Sequence, residues 1–538
     1  MRPSCLILLG ALLVFRPVFA APDVDTLVSK MSLREKVGQV FLVGFPQQEL
    51  DSQLRSFIAT HRPGGFIAFR RNIKNSPHIR SLALSLRRAA QVHGAEPFLA
   101  IDQEGGTVTR IPYFPALPSA LAVGLSGKGI LAHELGQENG HLLRWHGFNL
   151  NLAPVLDLSD PKQFSFIGSR SYSSDPEISS EMGFQYSSGL ISGGIIPTGK
   201  HFPGLGSTTT DPHVATGGLT ETMEQFKERH LKPFERFARL GPLSAMMISQ
   251  MSYPFLDSSG TAAPFSEAIL KGLLRKDLGF KGLIMTDDLQ MTGSRSIYTP
   301  ADAALASLRA GADIVMITWS AKDQVSAFSK IEQSVKDGTW SLSELEERVR
   351  RILKVKFAIQ EMQGALPSPL VMRNALGNPS TKRLHEIDQA LLEAKMPPPR
   401  NISGEASSVK SDRICVLASN RDFLKSFFKS YEGRQRPLLL TNQSRSDKFR
   451  LSLKSCPLIV FAVHGRRSAQ VLGEFDAPLR EKTLVVNFAA EGLIPSVDGW
   501  LLKVELAHPH IGSAEKIAAL TKSLLQERGI ASSVGESK

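Results

Sequence analysis

Cysteine is scarce in this chain: among 538 residues there are 3. Cys5 falls in an N-terminal apolar stretch, which leaves Cys415 and Cys456 for the body of the protein. Two cysteines either pair or serve as small buried hydrophobes, and are too few to staple a fold. Also missing is any apolar run long enough to span a bilayer, so no membrane span is expected. The formal charge of +12 and pI near 9.5 favour an anionic partner. Yet there is no dense Lys/Arg block, zinc-finger spacing or RNA-binding aromatic motif, so nucleic acid is not expected. No His-x-x-x-His helix occurs and His201 and His213 form no compact ligand pattern, so neither a metal nor a cofactor is expected.

What is present begins with MRPSCLILLGALLVFRPVFAAPDVD. A positive residue, a short apolar core and the small-residue pattern ending at Ala20 predict an export signal over residues 1–21, and hence a periplasmic or secreted protein. The content of 42% hydrophobic and 21% charged residues is that of a globular chain, long enough for two domains.

Over residues 22–361, short apolar runs alternate with amphipathic segments. The runs are QVFLVGF, GGFIAF, PFLAID, LNLAPVLDL, IIPTGKHF, LSAMMISQM, GLIMTDD and ADIVMI. Near-continuous apolar runs separated by helices are what a parallel sheet buried on both faces requires. Eight such units predict an α/β protein with a closed (β/α)8 TIM-type barrel. Ser32 and Glu35 form a capping-box pattern, and Ser341 opens a charged helix expected to close the barrel. Residues 362–410, rich in Pro, Ser and Asn, read as a linker. The apolar runs ICVLAS, PLLLTN, LIVFAV, TLVVNF and WLLKVEL predict a smaller α/β layered C-terminal domain over 411–538. No Gly-rich phosphate fingerprint follows its first strand.

Polar residues collect where the barrel runs end. Asp102, Asp157, Lys200, His201, Gln250, Asp287 and Asp288 all lie there, the face on which barrel active sites are built. Asp287, directly after an apolar run, suits a rigidly mounted nucleophile or base, and Asp288 suits the cap of a following helix. Gly105 and Gly106 beside Asp102 read as openings for a ligand to approach the backbone, and Glu104 reads equally as structural or functional. Asp211 and His213, two residues apart in KHFPGLGSTTTDPH, are either an acid/base dyad or a solvated loop; spacing does not decide.

IDQEGGTVTRI, APVLDLS, IGSRSYSSDP, KHFPGLGSTTTDPH and GLIMTDDLQM occur in that order. Together they resemble glycoside hydrolase family 3, in its β-N-acetylhexosaminidase (NagZ-like) branch. The resemblance implies that Asp287 is the catalytic nucleophile and His213 the general acid/base, with Asp211 as its partner. It implies that Asp102, Arg110, Arg170, Lys200 and His201 contact sugar. The implied activity is retaining removal of terminal β-linked N-acetylglucosamine from peptidoglycan fragments or related oligosaccharides. A carbohydrate substrate and a monomeric chain are therefore expected, with nearby Arg and Lys helping to keep Asp287 ionised. Leu205, Pro212 and Gln250 depart from the family pattern. Two rival readings are a β-glucosidase or xylosidase of the wider family, and a non-catalytic wall-binding protein.

Overall fold

A computed structural model describes residues 23–111, 117–159, 167–205, 222–291 and 297–366, helical pieces within 383–391, and six strands between 400 and 505. The export signal, most of the linker, and Asp211, Pro212 and His213 lie outside the described residues.

All eight barrel runs are strands: β1 (Phe41–Gly44), β2 (Gly65–Ala68), β3 (Phe98–Ile101), β4 (Leu150–Asn151), β5 (Ile196–Phe202), β6 (Ala245–Ile248), β7 (Leu283–Asp288) and β8 (Ile314–Ile317). Each pairs in parallel with its sequence neighbours, and β1 pairs with β8, so the barrel closes.

The near-continuous apolar sequence has a direct explanation in the packing. On β6 and β7, Ala245, Met247, Leu283 and Met285 belong to the main core. The alternate residues Met246, Ile248 and Ile284 join Phe234, Phe237, Leu270 and Leu274 in a second cluster. Both faces of these strands are buried, so neither face needs polar residues.

Ser32 caps the helix Leu33–Gln39 with the reciprocal Glu35 bonds of a capping box. Ser341 is the N-cap of Leu342–Ala365, but its hydroxyl bonds Ser343 and makes no cap bond. That helix closes the barrel floor. Arg348 donates to the carbonyls of Leu308 and Ala312. Lys356 donates to Gln39 Oε1 and the Gly64 carbonyl, each at 2.7 Å. With no carboxylate bonded to it among the described residues, burial pulls the Lys356 ammonium down to about 7.

The helices Gly129–Trp145 and Pro176–Ser192 touch through glycines: a Cβ at Gly136 would meet the Tyr186 carbonyl oxygen at 2.1 Å, and one at Gly189 the His133 oxygen at 2.0 Å. Nothing in the strand pattern foretold this close approach.

The C-terminal part forms its own sheet of β9 (Arg400–Asn401), β10 (Arg413–Ala418), β11 (Arg434–Leu439), β12 (Ile459–Val463), β13 (Thr483–Asn487) and β14 (Leu502–Glu505). The order is β9-β14-β13-β12-β10-β11, parallel except for β9. The five expected apolar runs supply β10 to β14, and β9 was not foreseen.

Candidate active site

The site is built where β3, β5 and β7 end. After β3 the sequence Asp102-Gln103-Glu104 alternates sides. Gln103 is fully buried and pins a hairpin (Gln103–Gly105 with Val108–Thr109): its amide donates to the Ile111 carbonyl, and its Oε1 accepts the Arg110 and Ile111 N–H groups. Its backbone is bonded to Asn151 and Asn139. The hairpin folds Arg110 back onto Asp102 at 3.0 Å.

On β5, Lys200 and Phe202 pair with the adjacent β6 residues Met247 and Ile248, so His201 is an extra, bulged residue. Such a bulge re-aims side chains locally. Lys200 Nζ reaches both Asp102 Oδ1 (3.1 Å) and Glu104 Oε1 (2.7 Å). His201 turns to Asp157, with Nδ1 at 2.7 Å from Oδ2. Asp157 also accepts the backbone N–H groups of His201 and Leu205. With a carboxylate as acceptor, Nδ1 carries the proton, which makes Nε2 the accepting nitrogen of the neutral ring. Arg170 grips Glu104 with two bonds, 2.8 and 2.9 Å.

This network sets its own charge states. Burial alone would raise Glu104, but Arg170 and Lys200 override it and hold the carboxyl at about 2. Burial likewise opposes ionisation of Asp102, and Lys200 and Arg110 bring it below the ordinary carboxylate range. Arg170 loses to burial but gains more from Glu104, so it is raised. The result is a buried floor of fixed anions and cations, suited to a ligand dense in hydroxyl groups.

The two acids of β7 are treated differently. Asp288 is buried, accepts the Thr318 hydroxyl and the Gln290 N–H, and is pushed up by burial to about 6. Asp287 is partly exposed, and its carboxylate accepts the adjacent Asp288 N–H at 2.7 Å. β7 also carries a bulge here, opposite Ile314–Met316. Asp288 has an ordinary pKa of 3.8, so between about 4 and 6 the folded chain holds one more proton there than the unfolded chain. Its contribution to stability therefore falls as pH rises through that window, by about 3 kcal/mol in all. Asp288→Asn is expected to remove this fall, as measured by urea denaturation at pH 4, 5, 6 and 7.

The structure brings together Asp102, Arg110, Arg170, Lys200 and His201 at one mouth, with Asp287 at the end of β7. It corrects two expectations. Asp288 caps a turn and no helix, because the next described helix starts at Pro300 with Thr299 as its cap. Gly105 and Gly106 have φ of +100° and +53°, and a Cβ at either would strike the Pro118 oxygen or Ser119. Their missing side chains serve the hairpin turn. Among the described residues no Arg or Lys forms an ion pair with Asp287; Lys200, Arg110 and Arg170 pair with Asp102 and Glu104.

Sequence reasoning left Glu104 undecided and gave Asp157 no role. The alternation Asp-x-Glu at a strand end was the available signal for the first. Leu205 is buried in the second core cluster, so that departure from the family pattern serves packing. Among the described residues no group of His, Cys, Asp and Glu could hold a metal ion, and no helix is long and apolar enough to cross a membrane.

Comparison with known proteins adds to this geometry. A β-hexosaminidase A of Pseudoalteromonas piscicida is 28% identical over 394 residues, 69% of this chain and 63% of that protein. The chain thus spans less than two thirds of that relative. A β-hexosaminidase of Pseudomonas aeruginosa (strain LESB58) is 34% identical over 273 residues, 50% of this chain and 79% of the other. A solved family 3 β-N-acetylglucosaminidase from Paenibacillus sp. str. FPU-7 superposes with a TM-score of 0.75 at 23% identity, covering 93% of this chain and 97% of that one, which establishes likeness of fold. The sequence profile of the glycosyl hydrolase family 3 N-terminal domain matches residues 32–355, more than half of the chain. With that barrel and that match, the chain belongs to glycosyl hydrolase family 3 and is by class a glycoside hydrolase.

Proposed function

We propose that the chain is a retaining exo-β-N-acetylglucosaminidase that removes terminal β-linked GlcNAc from peptidoglycan fragments or related oligosaccharides. One observation carries this reading. On the same end of the barrel as the buried cluster of paired acids and cations, Asp287 stands partly exposed and without an ion pair among the described residues. Relatives named β-hexosaminidase favour GlcNAc as the sugar removed.

In this reading the Asp287 carboxylate attacks the anomeric carbon as the glycosidic C–O bond breaks. His213, held by Asp211, gives its proton to the leaving oxygen. Water then loses a proton to His213 and attacks the same carbon, releasing the sugar and restoring Asp287; two displacements retain the configuration. Asp102, Arg110, Arg170, Lys200 and His201 hold the hydroxyl and acetamido groups. The positive charge suits an anionic wall polymer, and the N-terminal stretch suits export of a monomeric enzyme.

The test is release of 4-nitrophenol from 4-nitrophenyl β-GlcNAc and 4-nitrophenyl β-glucoside, each with and without phosphate. The expected outcome is preference for the GlcNAc compound, no need for phosphate, and GlcNAc as product. A preference for glucoside would move the substrate to the glucosidase branch. Binding to isolated cell wall without turnover of either compound would leave a wall-binding protein.

A further inference from the structure

Trp319 stands apart from the other exposed large hydrophobics in how it is held. It is 66% exposed, the most of any described large hydrophobic. It follows Thr318 at the end of β8, on the barrel face that holds the site. Its indole is held flat. The Phe69 ring, just beyond β2, stacks with it at 5.7 Å and 27°. The Arg71 guanidinium packs over both rings, 4.5 Å from Phe69 and 4.2 Å from Trp319.

The support runs into the site from two sides. Arg71 donates to the carbonyls of Phe45 and Thr318. The Trp319 and Ser320 N–H groups donate to Gln290 Oε1, and the Thr318 hydroxyl donates to Asp288, the neighbour of Asp287. On the other side, Arg110 binds Asp102 and lies 5.8 Å from the Phe69 ring. Exposure of one indole is ordinary, but closing the barrel does not require a plane held at the rim by a stacked ring, a guanidinium and a bonded backbone.

We infer that Trp319, held by Phe69 and Arg71, is a stacking platform for the second pyranose ring of the substrate, the sugar on the leaving-group side. The inference rests on the proposed glycosidase function and names a specificity determinant within it. The polar floor of Asp102, Glu104, Arg170 and Lys200 is buried and suits the terminal sugar, whose hydroxyls need charged partners. A flat apolar surface at the rim suits the C–H face of the ring that follows. Stacking there is worth little to a leaving group without a ring.

The experiment compares kcat/KM for the β-1,4-linked GlcNAc disaccharide with that for β-GlcNAc fluoride, whose leaving group has no ring. Wild type, Trp319→Ala and Trp319→Phe are measured. In Trp319→Ala the disaccharide-to-fluoride ratio is expected to fall about tenfold, mainly through KM, and Trp319→Phe restores most of it. An unchanged ratio in Trp319→Ala overturns the platform, whether both substrates suffer equally or neither does. A wild-type chain inactive on both substrates overturns the proposed function, and this inference falls with it. An active wild type with an unshifted ratio overturns the platform alone.

Discussion

Asp287→Ala is expected to lower the rate of 4-nitrophenyl β-GlcNAc hydrolysis on the order of 10⁴-fold or more, because in the proposed mechanism Asp287 forms the covalent intermediate. Folding is not expected to suffer. The Asp287 side chain is partly exposed, and its one described bond is with the next residue's N–H. Its removal therefore uncovers no buried charge, and the melting temperature stays within about 2 °C of wild type. Asp287→Asn keeps the shape and loses the charge, so it should be comparably slow. The comparison with Asp288→Asn discriminates between the paired acids. Asp288 is already committed to Thr318 and Gln290, so its loss should act on stability and placement before chemistry. Normal turnover by Asp287→Ala would remove the nucleophile from this position. Equal losses in the two variants would assign the effect to the pair.

Lys200→Met is expected to lower stability and to change its pH dependence. The Lys200 ammonium is 3% exposed and lies between Asp102 and Glu104. A methionine leaves two buried carboxylates with one guanidinium each. Each carboxylate loses its bond to the ammonium and keeps a guanidinium, so the expected cost is about 1.5–3 kcal/mol. The pH dependence should change with it. In the wild type, Glu104 is held at about 2 against an ordinary 4.5. Its stabilising contribution is complete above about 4.5 and lost as pH falls toward 2. Without Lys200, burial counts for more at Glu104 and Asp102, so their acid-side loss of stability shrinks. Urea denaturation at pH 7 and pH 3 reads this directly, with the deficit of the variant expected to be larger at pH 7. A deficit under about 1 kcal/mol at pH 7 would show that water reaches these carboxylates.

The barrel was legible because its cause is local. Every strand buried on two faces must be apolar along its length, and eight such runs separated by amphipathic helices leave few other ways to bury them. The placement of Asp102, Lys200, His201 and Asp287 at strand ends was legible for the same reason, since position in a run predicts position along the barrel axis. Pairing was not legible. That Lys200 bridges Asp102 and Glu104, residues about a hundred positions away, depends on β3 and β5 ending at the same height. The partnership of His201 with Asp157 depends on an extra residue in β5, which changes no composition and leaves no periodic trace. The glycines of the IDQEGG hairpin were misread because sequence cannot show that Pro118 and Ser119 fill the space beside them.

Trp319 marks the same boundary from the other side. In the sequence it is one aromatic after an apolar run, indistinguishable from a core residue. Closure of the barrel sets β8 beside β1 and one strand from β2, and so brings Phe69 and Arg71 against its indole. The amino-acid sequence by itself determined the barrel, the end of it where the polar residues gather, and the family. Tertiary structure decided which charges neutralise one another and which of two adjacent aspartates stays open. Those outcomes are set by contacts between distant segments, and only the closed barrel brings the segments together.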